Sequence, residues 1–519
     1  MPFSHKRIAD PIHGTVPISK LELEILECKS FQRLRNVKQL GLAYLVYPGA
    51  DYSRFSHGLG ACHMAGMVLE NLRERNELKS LWKKDSEIER QTQIYRLAAL
   101  LHDIGHYPFS HTTEHAIKDF YSAKFLSDAG TVGENQISEK KTQKSTKKIS
   151  AAAENTLTKK AVLKHEAVGK AILENDEEIT KVLAENGIQA DEIVSIFRKQ
   201  LGSEKLFLRN LVAADLDVDR IDYLQRTAHH TSLPYGSVDV RYLMSQMTLD
   251  SEHRLALTSK AMRTAEHLLL GRYFDYMQVS YHKTVAGLEW LLSDVITALL
   301  DRNLLQCSEE DILQKIRLGL WPEFDDVHVM DLIRKLTVSD DTLSTKAKAL
   351  LLRKPPLTAI SVECIEPREF ETSFKKACAD ISAKLPSLAS SLKIPIERWH
   401  LWQRQLDFTE TGDGTKDDEE YAALCEKAVR ILDGKGTSES TPIIEKHSSV
   451  LRVLGNYKLF TARVYVLLKD DEKNKREKIC AKIQNEFAEQ LNALRGGVGR
   501  KAICQACLKP CKACTCDEA

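Results

Sequence analysis

The stretch from Leu101 to His115, reading LHDIGHYPFSHTTEH, is the most informative part of the chain. A His102-Asp103 pair closes an apolar helical run, Gly105 breaks it, and His106 and His111 follow. Adjacent His and Asp can ligate one metal ion when a helix end turns both side chains inward. The imidazole supplies a neutral nitrogen and the carboxylate an oxygen, a pairing that suits a borderline or hard divalent ion. Two further ligands have to come from elsewhere. His57, in Arg54-Phe55-Ser56-His57-Gly58, stands at the start of another helix, and Asp219 lies in the run LDVDRIDY from 216 to 223. Asp215 and Asp222 share the helix face of Asp219 at i−4 and i+3, so either competes with it on spacing alone.

A second cluster is made of sulfur. Five of the twelve cysteines fall in the last sixteen residues, as Cys504-x2-Cys507-x3-Cys511-x2-Cys514-x-Cys516. Two CxxC pairs offer paired thiolates to one ion, and structural zinc on Cys504, Cys507, Cys511 and Cys514 is the first expectation. An iron–sulfur site and a plain thiol-rich tail are the alternatives. The other seven cysteines are irregularly scattered in a chain with no export signal, which argues against a disulfide framework.

The elements that must hold these residues are mainly helical. Tyr95 to His102 is apolar nearly all round, the mark of a helix buried in a core. Leu288 to Leu300, Tyr421 to Leu432, and the series Ile479, Ile483, Phe487, Leu491, Leu494 carry helical periodicity, the last stopped by Gly496-Gly497. Met247 to Thr258 resembles a small hairpin, and Thr15 to Ile18 a short edge strand, since Pro17 would be out of place in a central one. The fold class is therefore all-α with minor β. Residues 130–164 form a Lys/Ser/Thr-rich stretch that reads as a solvated insertion rather than a nucleic-acid patch. Residues 409–420 and 433–441 read as turns. The expected organisation is a core over 1–305, a helical C-terminal region over 306–500 and a Cys-rich tail over 501–519.

Composition narrows the class further. The chain has 519 residues, 74 Lys+Arg against 73 Asp+Glu, and 43% hydrophobic residues. That hydrophobic share excludes an intrinsically disordered chain, and the near-zero net charge gives no global pull toward nucleic acid or membrane. No apolar run approaches the roughly 20 residues of a membrane span, and residues 1–10 carry no secretory core. A cytoplasmic protein is expected.

The order His57, His102-Asp103, Asp219 resembles the His…His-Asp…Asp pattern of the HD-domain phosphohydrolases. The surrounding words DPIHG (10–14), FQRLR (31–35), KQLG (38–41), YPGA (47–50), RFSH (54–57), HDIGH (102–106) and PFSH (108–111) are similar to the dNTP triphosphohydrolase branch. The resemblance covers about residues 5–120 and 160–300 and implies an HD helical core. It implies that His57, His102, Asp103 and Asp219 bind a divalent ion (Mn, Mg, Fe or Zn). It further implies that His111 protonates the leaving ester oxygen, that His106 contacts phosphate and that His165 orients the acid. Arg54, Arg220 and Arg272 match cationic positions around a triphosphate, Tyr223 a phosphate-contacting tyrosine and Gln39 a sugar-contacting glutamine. His63, His115, His229 and His230 read as ordinary polar or capping residues.

The expected activity is cleavage of a nucleoside triphosphate, foremost a dNTP, to nucleoside and triphosphate. An HD phosphodiesterase or nucleotidase is one alternative, and a nucleotide-sensing or nucleic-acid-binding scaffold another. Two positions depart from the family pattern. Thr227 stands where the dNTPases place an aspartate that helps hold the sugar 3′-hydroxyl, and Ser280 where a tyrosine packs beneath the deoxyribose. Both substitutions predict an altered sugar pocket. Family members are often homo-oligomers with nucleotide effectors between subunits. Glu27, Gln32 and Arg35 match a guanine-reading trio there, and His282-Lys283 match phosphate contacts.

Overall fold

The computed structural model describes residues 5–134, 163–197, 208–338, 341–409, 425, 427–433 and 439–494. Most of the expected 130–164 insertion, the whole 501–519 tail and nearly all of the 409–420 turn lie outside these residues, as does the zinc expected on Cys504, Cys507, Cys511 and Cys514. Helices dominate, as the periodicity requires. Among the described residues the strands are β1 (Lys6–Asp10), β2 (Gly14–Ile18), β3 (Met247–Leu249), β4 (Leu255–Thr258), β5 (Leu357–Pro367), β6 (Trp399–Asp407), β7 (Arg430–Leu432), β8 (Ser440–Pro442) and β9 (Tyr457–Val466).

The chain divides into two compact units, residues 1–355 with 409–452, and residues 356–408 with 453–519. In the first, β1 and β2 pair antiparallel, with Pro17 opposite Arg7. Their connection is held by Asp10, whose Oδ1 accepts from the backbone N–H of Ile12 (2.9 Å) and His13 (3.0 Å). The helix Arg54–Glu74 is buried along most of its length. Two glycines permit that. A Cβ on Gly58 would lie 2.9 Å from the Leu100 carbonyl oxygen, and one on Gly60 only 1.9 Å from Asp222 Oδ1. The helices Asp85–Leu101 and Val218–Thr231 thus approach it closely, the latter capped by Asp217, which accepts from Arg220 N at 2.8 Å.

The helix Met262–Asp275 runs into a π-helical turn, Tyr276–Ser280, ahead of the helix Lys283–Asp301. The hairpin expected over Met247 to Thr258 is β3–β4, with Met247 opposite Leu257. It belongs to a four-stranded sheet ordered β3-β4-β7-β8.

Several expectations for the C-terminal half need correction. Tyr421 to Leu432 reads as a helix, yet Arg430–Leu432 is strand β7, parallel to β4 and antiparallel to β8. All three of its residues are buried, so pairing and burial outweigh helical periodicity. The expected boundary near 305 falls inside the first unit, because the helices Glu309–Arg317, Asp326–Lys335 and Thr342–Leu351 belong to it.

The second unit is not purely helical. It holds an antiparallel sheet ordered β5-β9-β6, packed with the helices Phe370–Leu392, Arg476–Glu486 and Ala488–Leu494 around Phe374, Ile381, Phe460, Val464, Ile483 and Phe487. The central strand β9 is buried at eight of ten positions, which erases the alternation that marks a half-exposed strand. The single helix expected over Ile479 to Leu494 is broken at Phe487 into two.

Candidate metal centre and active-site cavity

Three helical segments bring the His and Asp residues together. His57 lies in the first turn of Arg54–Glu74, His102 and Asp103 follow the end of Asp85–Leu101, and Asp219 lies in the first turn of Val218–Thr231. His57 Nε2 stands 3.0 Å from Asp219 Oδ1 and 3.7 Å from Asp103 Oδ2. His102 Nε2 stands 3.6 Å from Asp219 Oδ1 and 3.4 Å from Asp103 Oδ1. Both Nε2 atoms are buried, and neither makes a hydrogen bond.

Their other ring nitrogens are engaged. His57 Nδ1 lies 2.8 Å from Asp222 Oδ2, and His102 Nδ1 lies 2.8 Å from the Ala99 carbonyl. Buried polar atoms normally find partners. Two rings held at Nδ1 by an acceptor, with bare Nε2 atoms beside two carboxylates, present the donor set and outer bonding of a divalent-ion site. The residues therefore fit a divalent cation.

The rivals of Asp219 are separated by this geometry. Asp222 faces the far nitrogen of His57, and also meets His13 Nε2 at 2.5 Å and Arg226 at 2.9 Å. Asp10 closes that buried network on Arg226 Nη1 at 2.9 Å. Asp215 pairs instead with Arg220 Nη1 at 3.0 Å. Asp103 is ion-paired with Arg54. Burial would raise its pKa, but Arg54, His102 and His106 hold the carboxyl well below its usual range.

A cavity of about 410 Å³ opens over this cluster. His102, Asp103 and Asp219 line it, and so do the catalytic and substrate-binding candidates Gln39, Arg54, His106, His111, His165, Arg220, Tyr223 and Arg272, while His57 is fully buried. Gln39 Oε1 is buried without a hydrogen-bond partner. Arg272 Nε and Nη1 also lack one, and the Asp215 carboxylate is 3.9 Å from Nη1. Burial keeps the Tyr223 phenol protonated far above its ordinary range.

The three remaining histidines gather around a carboxylate that motif spacing alone left unread. Glu114 Oε2 lies 3.1 Å from His165 Nδ1 and 3.4 Å from His111 Nδ1. The His111-x-x-Glu114 spacing, one helical turn, was the available signal. His106 stacks on His165 with ring centroids 4.0 Å apart, and its Nε2 is 3.1 Å from Asp103 Oδ1. Burial, Arg54 and His165 keep His106 neutral. For His165, burial opposes the charged form, but Glu114 outweighs it and raises the pKa. The His111 side chain is 60% exposed, free to face whatever enters.

The loop carrying these histidines is held in an unusual backbone shape. Phe109 (φ 53°) and Ser110 (φ 56°) are consecutive left-handed non-glycine residues, a conformation that costs energy and must be imposed. Asp326 imposes it: its Oδ1 accepts from Phe109 N at 2.7 Å, and its Oδ2 from Lys38 N at 3.0 Å. Fully buried Arg33 adds a second clamp, donating to the carbonyls of His106 (2.8 Å) and Phe324 (2.6 Å). Asp326 carries no motif signal, being more than two hundred residues from the loop it braces.

The expected effector residues sit apart from this chemistry. Arg35 Nε donates to Gln32 Oε1 at 2.7 Å, Gln32 Nε2 donates to the Leu26 carbonyl, and Glu27 is exposed. His282 caps the helix Lys283–Asp301.

Residues 54–227 match the family model of the HD domain. The chain carries an HD domain. Curated relatives include an uncharacterized protein of Methanocaldococcus jannaschii, 30% identical over 303 residues, covering 58% of this chain and 51% of that protein. They also include the deoxynucleoside triphosphate triphosphohydrolase SAMHD1 of Gallus gallus, 27% identical over 259 residues, covering 45% of this chain and 35% of that protein. The chain thus spans about half the length of the first of these relatives and about a third of the second. Among solved structures, a hypothetical protein from Aquifex aeolicus shares the fold with a TM-score of 0.63 at 22% identity, covering 92% of this chain and 99% of that one. Among the described residues, no helix is long and apolar enough to cross a membrane.

Proposed function

We propose that the protein is a metal-dependent nucleoside triphosphate triphosphohydrolase, acting foremost on dNTPs to release nucleoside and triphosphate. One observation carries this reading: two bare, buried imidazole nitrogens meet two carboxylates on a cavity that three guanidinium groups also line. In it, His57, His102, Asp103 and Asp219 hold the ion. A divalent ion there supplies Lewis acidity toward a phosphate oxygen and toward water. Arg54, Arg220 and Arg272 bind the triphosphate and offset its crowded charge, with Tyr223 donating a hydrogen bond. His111, anchored by Glu114, gives its proton to the leaving ester oxygen, while His165 and neutral His106 set its position. The relationship to SAMHD1 supports the choice of substrate.

The test is to incubate the purified protein with each dNTP and NTP plus Mn2+ or Mg2+ and resolve the products. Triphosphate release is expected. Release of phosphate, diphosphate or monophosphate alone would instead indicate a nucleotidase or phosphodiesterase. Asp103→Ala should abolish turnover.

A further inference from the structure

Thr227 does not reach the cavity. It is fully buried, and its Oγ1 pairs with the Tyr52 hydroxyl at 2.8 Å. A different carboxyl group occupies the wall. Asp275 lines the cavity with Tyr276 and Ser280 and is only 2% exposed. Its Oδ1 accepts a hydrogen bond from the Tyr235 hydroxyl at 2.6 Å. A carboxylate has about four acceptor sites, so one phenol leaves it with capacity to spare. Burial pushes the Asp275 carboxyl up to about 7, with Tyr235 and Arg272 only partly offsetting it. A second donor would stabilise it.

Position says what that donor is. Asp275 follows Arg272 by three residues on one helix, so the two side chains are neighbours on one face, with Cβ atoms roughly 5–6 Å apart. A triphosphate held by Arg272 and Arg220 would be repelled by a carboxylate, so the phosphates stop short of Asp275. The part of a nucleotide one step beyond its α-phosphate is the pentose, whose hydroxyls are neutral donors. Resting on the nucleotide reading above, we infer that Asp275, oriented by Tyr235, reads the substrate's sugar by accepting a hydrogen bond from a pentose hydroxyl. The altered position at Thr227 is thereby compensated from another helix, while Ser280 leaves room beside it.

The experiment compares kcat/KM for the ribo, 2′-deoxy, 3′-deoxy and 2′,3′-dideoxy triphosphates of one base. The wild type should favour a hydroxyl-bearing sugar over the dideoxy form by about 100-fold or more, the behaviour of a site built around a hydrogen bond. Asp275→Leu, similar in size but unable to accept, should bring that ratio to within a few-fold of unity while retaining dideoxy turnover. Asp275→Asn, which keeps an acceptor oxygen, should retain part of the preference, and Tyr235→Phe should erode it without removing it. If Asp275→Leu does not fold, the last two variants decide the matter. Equal losses on all four sugars, which leave the ratios unchanged, would overturn the assignment. Failure of the wild type to cleave any nucleotide would overturn the nucleotide reading as well. Cleavage with unmoved ratios would overturn only the role of Asp275.

Discussion

Two walls of one cavity follow different rules. On the His/Asp wall, three of the four groups have a bracing partner: His57 has Asp222, His102 the Ala99 carbonyl and Asp103 the Arg54 guanidinium. The wall of Asp275, Tyr276 and Ser280 follows another pattern, with the single carboxyl held by one phenol at a π-helical turn. The first wall is assembled from three helical segments, the second from one helix and the turn that follows it. The contrast teaches that a His/Asp cluster tolerates few residue types, whereas the wall proposed to read the sugar can be rebuilt from a neighbouring helix turn. Irregular helical turns recur at functional sites for this reason, since they re-aim side chains without dismantling the helix.

The comparison can be broken or sharpened by substitution. After the loss expected at Asp103, the largest effect is expected at His111, where His111→Ala should lower turnover about 10²–10⁴-fold while bound metal, measured by elemental analysis, stays at the wild-type ratio. Loss of metal together with activity would erase the distinction between the proton-transfer histidines and the ligands. Next comes Asp222→Asn, expected to weaken metal affinity about 10–100-fold in chelator competition, because His57 loses its carboxylate brace. Unchanged affinity would mean that packing alone fixes the ring. The smallest effect is expected at Asp326→Ala. Two backbone donors lose their acceptor, costing about 1–3 kcal/mol and lowering the Tm, with turnover reduced and metal content intact. A variant as active and stable as the wild type would show that the left-handed Phe109-Ser110 pair holds without its clamp.

The readable parts of the molecule were those where chemistry restricts residue type. The His102-Asp103 pair, the edge strand around Pro17 and the hairpin Met247–Thr258 were legible because their local signals agree with the tertiary structure. Spacing alone could not tell Asp219 from Asp215 and Asp222, although in the structure Asp215 lies ahead of the helix. The family resemblance favoured Asp219, and the packing separates the others, sending Asp222 to His57 Nδ1 and Asp215 to Arg220. Glu114 was within reach, one turn from His111. Asp275 and Asp326 were not, because each acts across the fold from a helix that carries no motif. The strands β7 and β9 escaped for the opposite reason: burial on all sides removes the alternation that would have marked them.

The segment that returns to the first unit after residue 409 bears on how the protein is made. Lys427 lines the cavity, its carbonyl accepts from Asp215 N at 3.0 Å, and β7 pairs with β4 just beyond it. On the ribosome, His57, His102, Asp103 and Asp219 have all been added once Asp219 is, while Lys427 follows at least about ten seconds later at ordinary elongation rates. For that interval the cavity lacks the flank that Lys427 and β7 provide. The site acquires its last neighbour only after the second unit's first strands have been synthesised.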